Sequence, residues 1–281
     1  MVAPDPEDPA LPSGLSYLLL GKTTLVSQLG SRYLTVQRTY ELVQVYRTRV
    51  AADAAHDDAF GAAQEAWLEA QLGGSDATWK VVGSSVQHSS QVLDLSPFVG
   101  GLPEGLPPER FYLNVDQWDG FPERRRRLLE RVYRPANAVL LAGDIHGAYA
   151  TDFGEDAGGN RAIELTTAAV SSETFRGLLF RTGNGNRAIR ESGLLEPIVN
   201  AIDNFMRSAF APLRLAESNH HGVLVIDAGE AELRATFNLL APGIVEQSHY
   251  ADPSVIADQW VVHSFRATKL SGGRTSALIE L

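Results

Sequence analysis

A carboxylate and an imidazole, Asp144 and His146, stand two residues apart directly after the apolar run 138–142. An apolar run of this length that ends at a glycine predicts a buried strand, and ligands of open α/β sheets gather beyond the carboxyl ends of strands. Carboxylate and imidazole groups suit a divalent metal, and Gly143 would let the backbone turn closely. The pattern predicts a metal site at Asp144 and His146. The residues alone leave open a turn cap and a surface histidine.

A second acidic pair, Asp116 and Asp119, flanks a tryptophan just before a predicted helix over 121–134. Asp119 is well placed to cap that helix, since aspartate accepts hydrogen bonds from the first free backbone N–H groups. The helix leads into the strand 138–142, however, so its start is expected near the pocket of Asp144. The two acids are therefore also candidates for lining that pocket.

Histidines supply the remaining candidates. His220 and His221 immediately precede a predicted strand over 222–228. The interpretation without a function is that one of the two is exposed and the other packs against the protein. His88 and His263 carry no functional indication in the sequence. From the residues alone, a contribution of His220 or His221 to a site stays open.

Two familiar motifs are incomplete. The run 18–29 suggests a phosphate-binding P-loop, but Ser16 occupies the position of its first glycine. Gly83 and Ser85 suggest the nucleophile elbow of a serine esterase, but Gln87 occupies the position of its second glycine. Neither motif supports a function.

Composition restricts the function further. The chain has 281 residues, 44% hydrophobic residues, no cysteine and a formal charge of −10. An acidic chain is repelled by phosphate backbones and anionic membranes, so neither nucleic acid nor membrane is expected as a partner. The run of four arginines at 124–127 would point all round a helix, so a mostly solvated helix with one arginine tethered is predicted rather than a polyanion site. The apolar run 14–21 is too short to span a bilayer and follows no basic residue, so no signal peptide is predicted.

Periodicity predicts one α/β domain, 15–281, whose β content continues antiparallel at its end, after a disordered proline-rich lead-in over 1–14. The helix over 57–74 is predicted to bury a face of Trp67, Leu68 and Leu72. A further helix is predicted over 195–209. The predicted strands are 40–50, 78–82, 138–142, 162–170, 222–228, 232–240 and 259–265.

Four segments, taken together, resemble the alkaline phosphatase D (PhoD-like) metallophosphatases, and the resemblance covers roughly 20–270. They occur in the order of that family and read FGAAQEAWLEAQLGGSDATWKVVGSSV, FYLNVDQWDGFPERRRRLLE, NAVLLAGDIHGAYATDF and HHGVLVID. The combination of DxWDG, a helix and GDxH is more specific than any one motif.

The resemblance implies a metallophosphoesterase sandwich of the calcineurin-like kind, with two mixed β-sheets flanked by helices. It implies phosphomonoester or phosphodiester hydrolysis at a centre that holds calcium and iron. By the resemblance Asp144 and His146 are metal ligands or their neighbours. The resemblance also implies that Asp116 and Asp119 line the pocket entrance and that His221 lies near the site, which makes these three the candidate catalytic residues.

The sequence also departs from the family pattern. Family members have a long upstream region with further metal ligands, and Tyr46 stands where the family often has an aspartate. Arg47 is then the candidate phosphate contact, with Arg49 as the alternative. We therefore expect the C-terminal portion of such an enzyme, with its N-terminal part missing and weak activity.

The rival interpretation is a non-catalytic remnant that acts as a structural or partner-dependent half-domain. Family members are commonly exported to the periplasm or beyond, but this chain predicts no localisation of its own. Substrate identity, metal identity and oligomeric state stay open at this stage.

Overall fold

The computed structural model describes residues 35–50, 57, 59–98, 102, 108–185, 190–249 and 251–281. The proposed lead-in over 1–14 and the P-loop-like run 18–29 lie outside these residues. The strands are β1 (Thr35–Val36), β2 (Lys80–Gly83), β3 (Val92–Asp94), β4 (Arg110–Tyr112), β5 (Ala138–Ala142), β6 (Ala148–Glu155), β7 (Arg161–Thr166), β8 (Leu213–Glu217), β9 (His221–Ala228), β10 (Glu232–Leu240), β11 (Val261–Thr268) and β12 (Ile279–Glu280).

The helices surround these strands. They are α1 (Gln37–Arg49), α2 (Ala62–Gly74), α3 (Pro122–Leu128), α4 (Arg134–Ala136), α5 (Phe175–Gly185), α6 (Leu195–Asn200), α7 (Ile202–Ala209) and α8 (Pro242–Val245). Short 3-10 turns occur at Trp118–Gly120, Pro253–Ile256 and Ser271–Gly273, and a π-helical turn, Leu129–Tyr133, joins α3 to α4. Within the described ranges no helix is long and apolar enough to cross a membrane.

Three sheets form among the described residues. A five-stranded mixed sheet has the order β2-β5-β7-β6-β8, in which β2, β5 and β7 are parallel and β6 is antiparallel to β7 and β8. A four-stranded sheet, β12-β11-β10-β9, is entirely antiparallel, as is the small sheet β1-β4-β3. The α/β class is therefore confirmed, whereas the second large sheet is antiparallel rather than mixed.

The main core lies between the two larger sheets. Ile163 and Leu165 of β7 belong to the same buried cluster as Phe237 of β10 and Phe265 of β11. The alternation predicted for 232–240 is confirmed, because Leu233, Ala235, Phe237 and Leu239 are buried and the residues between them are not. Further apolar clusters pack α2, the 122–136 helical segment and α7 around the five-stranded sheet.

The segment predicted as a strand at 40–50 is part of helix α1. Tyr40 and Gln44 are its buried residues, and their spacing of four is the helical period. Both side chains donate hydrogen bonds to the backbone oxygen of Gly120, at 2.8 and 3.2 Å. The prediction was wrong because the buried face of this helix is narrow and half polar, so no apolar stripe marks it in the sequence.

Helix α2 is confirmed, but its predicted apolar face is wrong in one residue. Leu72 is buried and Leu68 is half-buried, whereas the Trp67 side chain is 61% exposed. Residues 68 and 72 lie one helical turn apart and share a face, while residue 67 is rotated from that face by about 100°. Trp67 instead lines an open apolar cleft of about 740 Å³ with Phe60 and Trp118.

The arginine run is largely paired within the protein, which contradicts the solvated helix predicted for it. The Arg127 guanidinium lies 3.0 Å from Glu65 of α2, and Arg124 bonds the same carboxylate. Arg126 pairs with Glu123 and Glu130 along its own helix, and Arg125 pairs with Asp119. The prediction was wrong because Glu65 and Asp119 lie beside the helix only in the folded chain.

The helix over 195–209 is confirmed with a break. Helices α6 and α7 meet at Ala201, whose φ of −96° and ψ of 4° leave the helical region. Ile202 and Met206, one turn apart, are buried against β8. The break turns the first residues of α7 toward the loop that follows β8.

Candidate functional site

Residues 143–146 read GDIH and are called the GDIH turn. This turn connects β5 to β6 at the carboxyl end of the parallel strands. Asp144 has φ of 69° and His146 has φ of 61°, both in the left-handed region. The left-handed conformation raises the conformational free energy of a non-glycine residue by about 1 kcal/mol. Gly143 was expected to provide the sharp turn, but it does not adopt a positive φ. Strained residues of this kind cluster at functional sites, where the surrounding structure holds them in place.

Gly147 closes the turn for a steric reason. A Cβ atom at this position would lie 2.6 Å from the Tyr149 hydroxyl oxygen, closer than real contacts allow. The Tyr149 ring is buried directly beside the turn. Only glycine therefore lets the chain pass over this ring between His146 and β6.

The His146 ring is held by the loop that follows β7. Its Nδ1 lies 2.6 Å from the backbone oxygen of Glu173, and its backbone oxygen accepts a 2.8 Å hydrogen bond from Phe175 N. A carbonyl only accepts hydrogen bonds, so Nδ1 carries the proton and Nε2 keeps a lone pair. This is the arrangement that orients a metal-binding histidine.

His221, the first residue of β9, lies near His146. Its side chain is buried, and its Nδ1 has no hydrogen-bond partner among the described residues. Burial lowers the pKa of His221; the hydrogen bond of its ring to the Ala169 carbonyl and the Glu246 charge oppose this shift, and the charges of His220 and His146 add to it. The fold therefore places His146 and His221 within electrostatic range of each other. Asp144 lies exposed on the same turn as His146.

Asp119 occupies a different environment. Its carboxylate is 1% exposed and accepts hydrogen bonds from Ser90 Oγ at 2.6 Å, Gln91 N at 2.8 Å and the Arg125 guanidinium. Burial raises the pKa of Asp119, against the opposing effect of Arg125. Asp116 is exposed and borders the apolar cleft that contains Trp118.

The 3-10 turn at Trp118–Gly120 is called the WDG turn, and Arg47 lies near it. Arg47 is half-buried on α1, one helical turn beyond Gln44, whose side chain bonds Gly120. Burial raises the pKa of the Tyr40 phenol to about 12; Arg47 opposes this shift, and Asp119 adds to it. The predicted residues thus form two groups. Asp116, Asp119 and Arg47 surround the WDG turn, and Asp144, His146 and His221 surround the GDIH turn.

Gln91 connects the two turns. Its backbone N–H donates to Asp119, and its side-chain oxygen accepts a 3.1 Å hydrogen bond from Gln117. Its side chain also lowers the pKa of the Tyr149 phenol, which burial raises far above its ordinary value. The Tyr149 hydroxyl and the Gln91 amide nitrogen are both buried, and neither has a partner at full hydrogen-bonding geometry among the described residues.

The polar segment 87–91 was missed at the sequence level. All five residues are buried, and Glu164 of β7 holds the segment through His88 N at 2.7 Å, His88 Nδ1 at 3.0 Å and Ser89 N at 2.7 Å. Burial alone would raise the pKa of Glu164, but these hydrogen bonds hold it below its ordinary value. The His88 ring stacks on Trp118, with ring centres 4.5 Å apart. The available signal was a long polar run between two strands that contains neither glycine nor proline.

The described part of the chain contains no group of three or more His, Asp or Glu residues arranged to hold a metal ion. The GDIH turn therefore offers the right donor types in an incomplete set.

These features define a class of protein, an α/β fold with a histidine-bearing polar site at the carboxyl ends of parallel strands. Comparison with known proteins narrows the class. The model of the PhoD-like phosphatase family matches residues 18–237, and the chain therefore belongs to that family.

Individual relatives are distant and longer. Alkaline phosphatase D of Bacillus subtilis (strain 168) is 28% identical over 130 residues, which are 46% of this chain and 19% of that protein. A solved structure described as the structure of PhoD has 15% identity and a TM-score of 0.43, covering 79% of this chain and 35% of that one. The matched region thus spans about a third or less of each relative's length.

Proposed function

We propose that this chain carries part of the active site of a metal-dependent phosphoric ester hydrolase, centred on Asp144, His146 and His221. The observation that carries the proposal is the orientation of His146, whose Nδ1 is fixed on the Glu173 carbonyl, so that Nε2 is the ring nitrogen left for a metal. Membership of the PhoD-like phosphatase family supports the reaction class. Phosphomonoesters and phosphodiesters are both candidate substrates.

The donor types fit a metal, although their number is insufficient. The Asp144 carboxylate suits a hard cation such as calcium, and imidazole nitrogens suit iron. Within the described ranges no third acid or histidine, His221 included, joins Asp144 and His146 in a group that could hold the ion. We propose that the remaining ligands come from residues outside the described ranges or from another part of the full protein.

When bound, the metal would polarise the phosphoryl oxygens and acidify a water for in-line attack. The chain's own residues would do the rest. Asp144 and His146 are held in strained backbone conformations, so their donor atoms need little reorganisation on binding. His221 would contribute its Nδ1, which has no hydrogen-bond partner among the described residues, as an acceptor for a water, because its ring already interacts with the Ala169 carbonyl.

The WDG group has a supporting role in this proposal. Asp119 ties Ser90, Gln91 and Arg125 together and thereby anchors the segment that reaches Tyr149 beside the GDIH turn. Arg47 and Asp116 would act on substrate only if the ester extends toward the WDG turn. Truncation of either side chain should then raise KM with kcat unchanged.

A non-catalytic, partner-dependent half-domain is the second candidate. The absence of a three-ligand group among the described residues favours it. The two candidates differ in turnover, since a half-domain would bind metal weakly and hydrolyse no ester without a second chain.

One experiment tests the site. The purified chain is supplied with calcium and iron, and its metal content is compared with hydrolysis of p-nitrophenyl phosphate and bis-p-nitrophenyl phosphate. The double variant Asp144→Ala, His146→Ala should lose both the bound metal and the turnover. The matched control Asp258→Ala, His249→Ala removes the same residue types from the 246–260 segment and should retain both. Unchanged metal and turnover in the first variant would overturn the assignment.

A further inference from the structure

Asp203, near the start of α7, bridges the start of α5 and the loop between β8 and β9. Its Oδ2 accepts a 2.6 Å hydrogen bond from the Arg176 guanidinium, and its Oδ1 accepts a 3.1 Å hydrogen bond from Ser218 N. The carboxylate is 14% exposed, so little water competes for these bonds. A single side chain thus holds two segments that are 42 residues apart in sequence (Arg176 and Ser218).

Both partners connect directly to the candidate site. Arg176 follows Phe175, whose N–H holds the His146 carbonyl at 2.8 Å. Ser218 lies three residues before His221. The Arg176 N–H also donates to the Ser218 carbonyl at 2.9 Å, so the two segments touch where Asp203 joins them.

The surroundings of this bridge contain few alternative partners. Burial raises the pKa of Asp203, and the Ser218 hydroxyl and the Arg176 guanidinium oppose that shift. Arg176 Nε is buried without a hydrogen-bond partner among the described residues. Loss of the carboxylate would therefore leave further buried polar groups unpaired, and the two segments would separate to hydrate them.

We propose that Asp203 is a positioning residue that fixes the loop before His221 against the start of α5, which holds His146. It touches neither substrate nor metal. The part of this proposal that concerns catalysis rests on the proposed phosphoesterase function. The part that concerns loop placement rests on the hydrogen bonds alone.

The test combines a structural and a kinetic measurement on the full chain. Asp203→Asn keeps the side-chain shape, but its one carbonyl oxygen cannot serve both partners. Amide hydrogen exchange of Ser218 and Arg176, followed by NMR, should accelerate at least tenfold in this variant. The metal concentration for half-maximal hydrolysis of p-nitrophenyl phosphate should rise at least tenfold, with a smaller change in KM.

Asp152→Asn is the matched control. Asp152 is also a buried carboxylate paired with an arginine, Arg161, but it caps Gly154 N and Leu278 N away from both segments. This variant should lose thermal stability at least as strongly as Asp203→Asn while leaving exchange at Ser218 and the metal requirement unchanged.

Three outcomes separate the possibilities. Equal metal requirements in the two variants would show that Asp203 is merely structural and overturn its positioning role. Unchanged exchange at Ser218 in Asp203→Asn would overturn the bridge itself. If the wild-type chain hydrolyses nothing, the proposed function fails, and accelerated exchange at Ser218 still supports the loop placement.

Discussion

The Nδ1 atom of His146 lies 2.6 Å from the backbone oxygen of Glu173. The contact joins the turn after β5 to the loop after β7, the two parallel strands that pair at the centre of the five-stranded sheet. Because a carbonyl cannot donate, the contact fixes the tautomer of the ring.

The first prediction is that the metal-free protein has His146 in the Nδ1–H tautomer. Long-range ¹⁵N–¹H NMR spectra distinguish a protonated ring nitrogen from an unprotonated one, and His146→Gln identifies the signal. An Nε2–H tautomer would contradict the contact and remove the lone pair that the site requires.

The second prediction concerns the apolar face of α2. Trp67→Ala should change the free energy of unfolding by about 0.5 kcal/mol or less, because the side chain is mostly exposed. Trp118→Ala should lower the free energy of unfolding by about 3–5 kcal/mol, because Trp118 is buried and stacked on His88. Urea denaturation measures both values, and equal losses would show that Trp67 is packed as its sequence position first indicated.

The third prediction follows from the steric contact at the GDIH turn. Gly147→Ala should destabilise the protein by about 1–3 kcal/mol, because its methyl group overlaps the Tyr149 ring. Gly83→Ala is the control, since a Cβ there meets no atom within 4 Å. Thermal unfolding of the two variants compares them directly. A stable Gly147→Ala protein would mean that the ring can move away from the turn.

The fourth prediction is a pH dependence. The folded pKa of Glu164 is below the unfolded value of 4.5, so its stabilising contribution is fully present above pH 4.5 and is lost as the pH falls through the folded value. Glu164→Gln should therefore lower stability at pH 7 by about 2 kcal/mol or more and flatten the acid limb of the stability curve. Urea midpoints between pH 3 and pH 7 test this. Parallel curves for the two proteins would refute it.

Strand 138–142, the strand 232–240 and the helix that leads into GDIH were predictable because their apolar periodicity is local. The burial of 87–91 was not, because its partner Glu164 lies 76 residues from His88 and polar residues ordinarily indicate exposure. The pairing of Arg124 with Glu65, 59 residues away, was hidden for the same reason.

The candidate site was predictable in its residue types but not in its geometry. Asp144 and His146 follow an apolar strand, and that position alone indicated a ligand site. The sequence predicted a sharp turn at Gly143, because glycine adopts a positive φ most easily. The positive φ values occur at Asp144 and His146 instead. The proximity of His221 depends on how the loops before β9 and after β5 meet, which no local pattern encodes.

The turn after β5 and the start of β9 are proposed to belong to one metal-dependent site. Titration of the full chain with Mn²⁺, followed by the histidine ring signals in NMR spectra, tests this most directly, since broadening by a paramagnetic ion falls steeply with distance. We expect the His146 and His221 signals to broaden together at substoichiometric Mn²⁺, ahead of those of His249 and His263. Simultaneous broadening of all four histidines, or loss of His249 or His263 first, would contradict it.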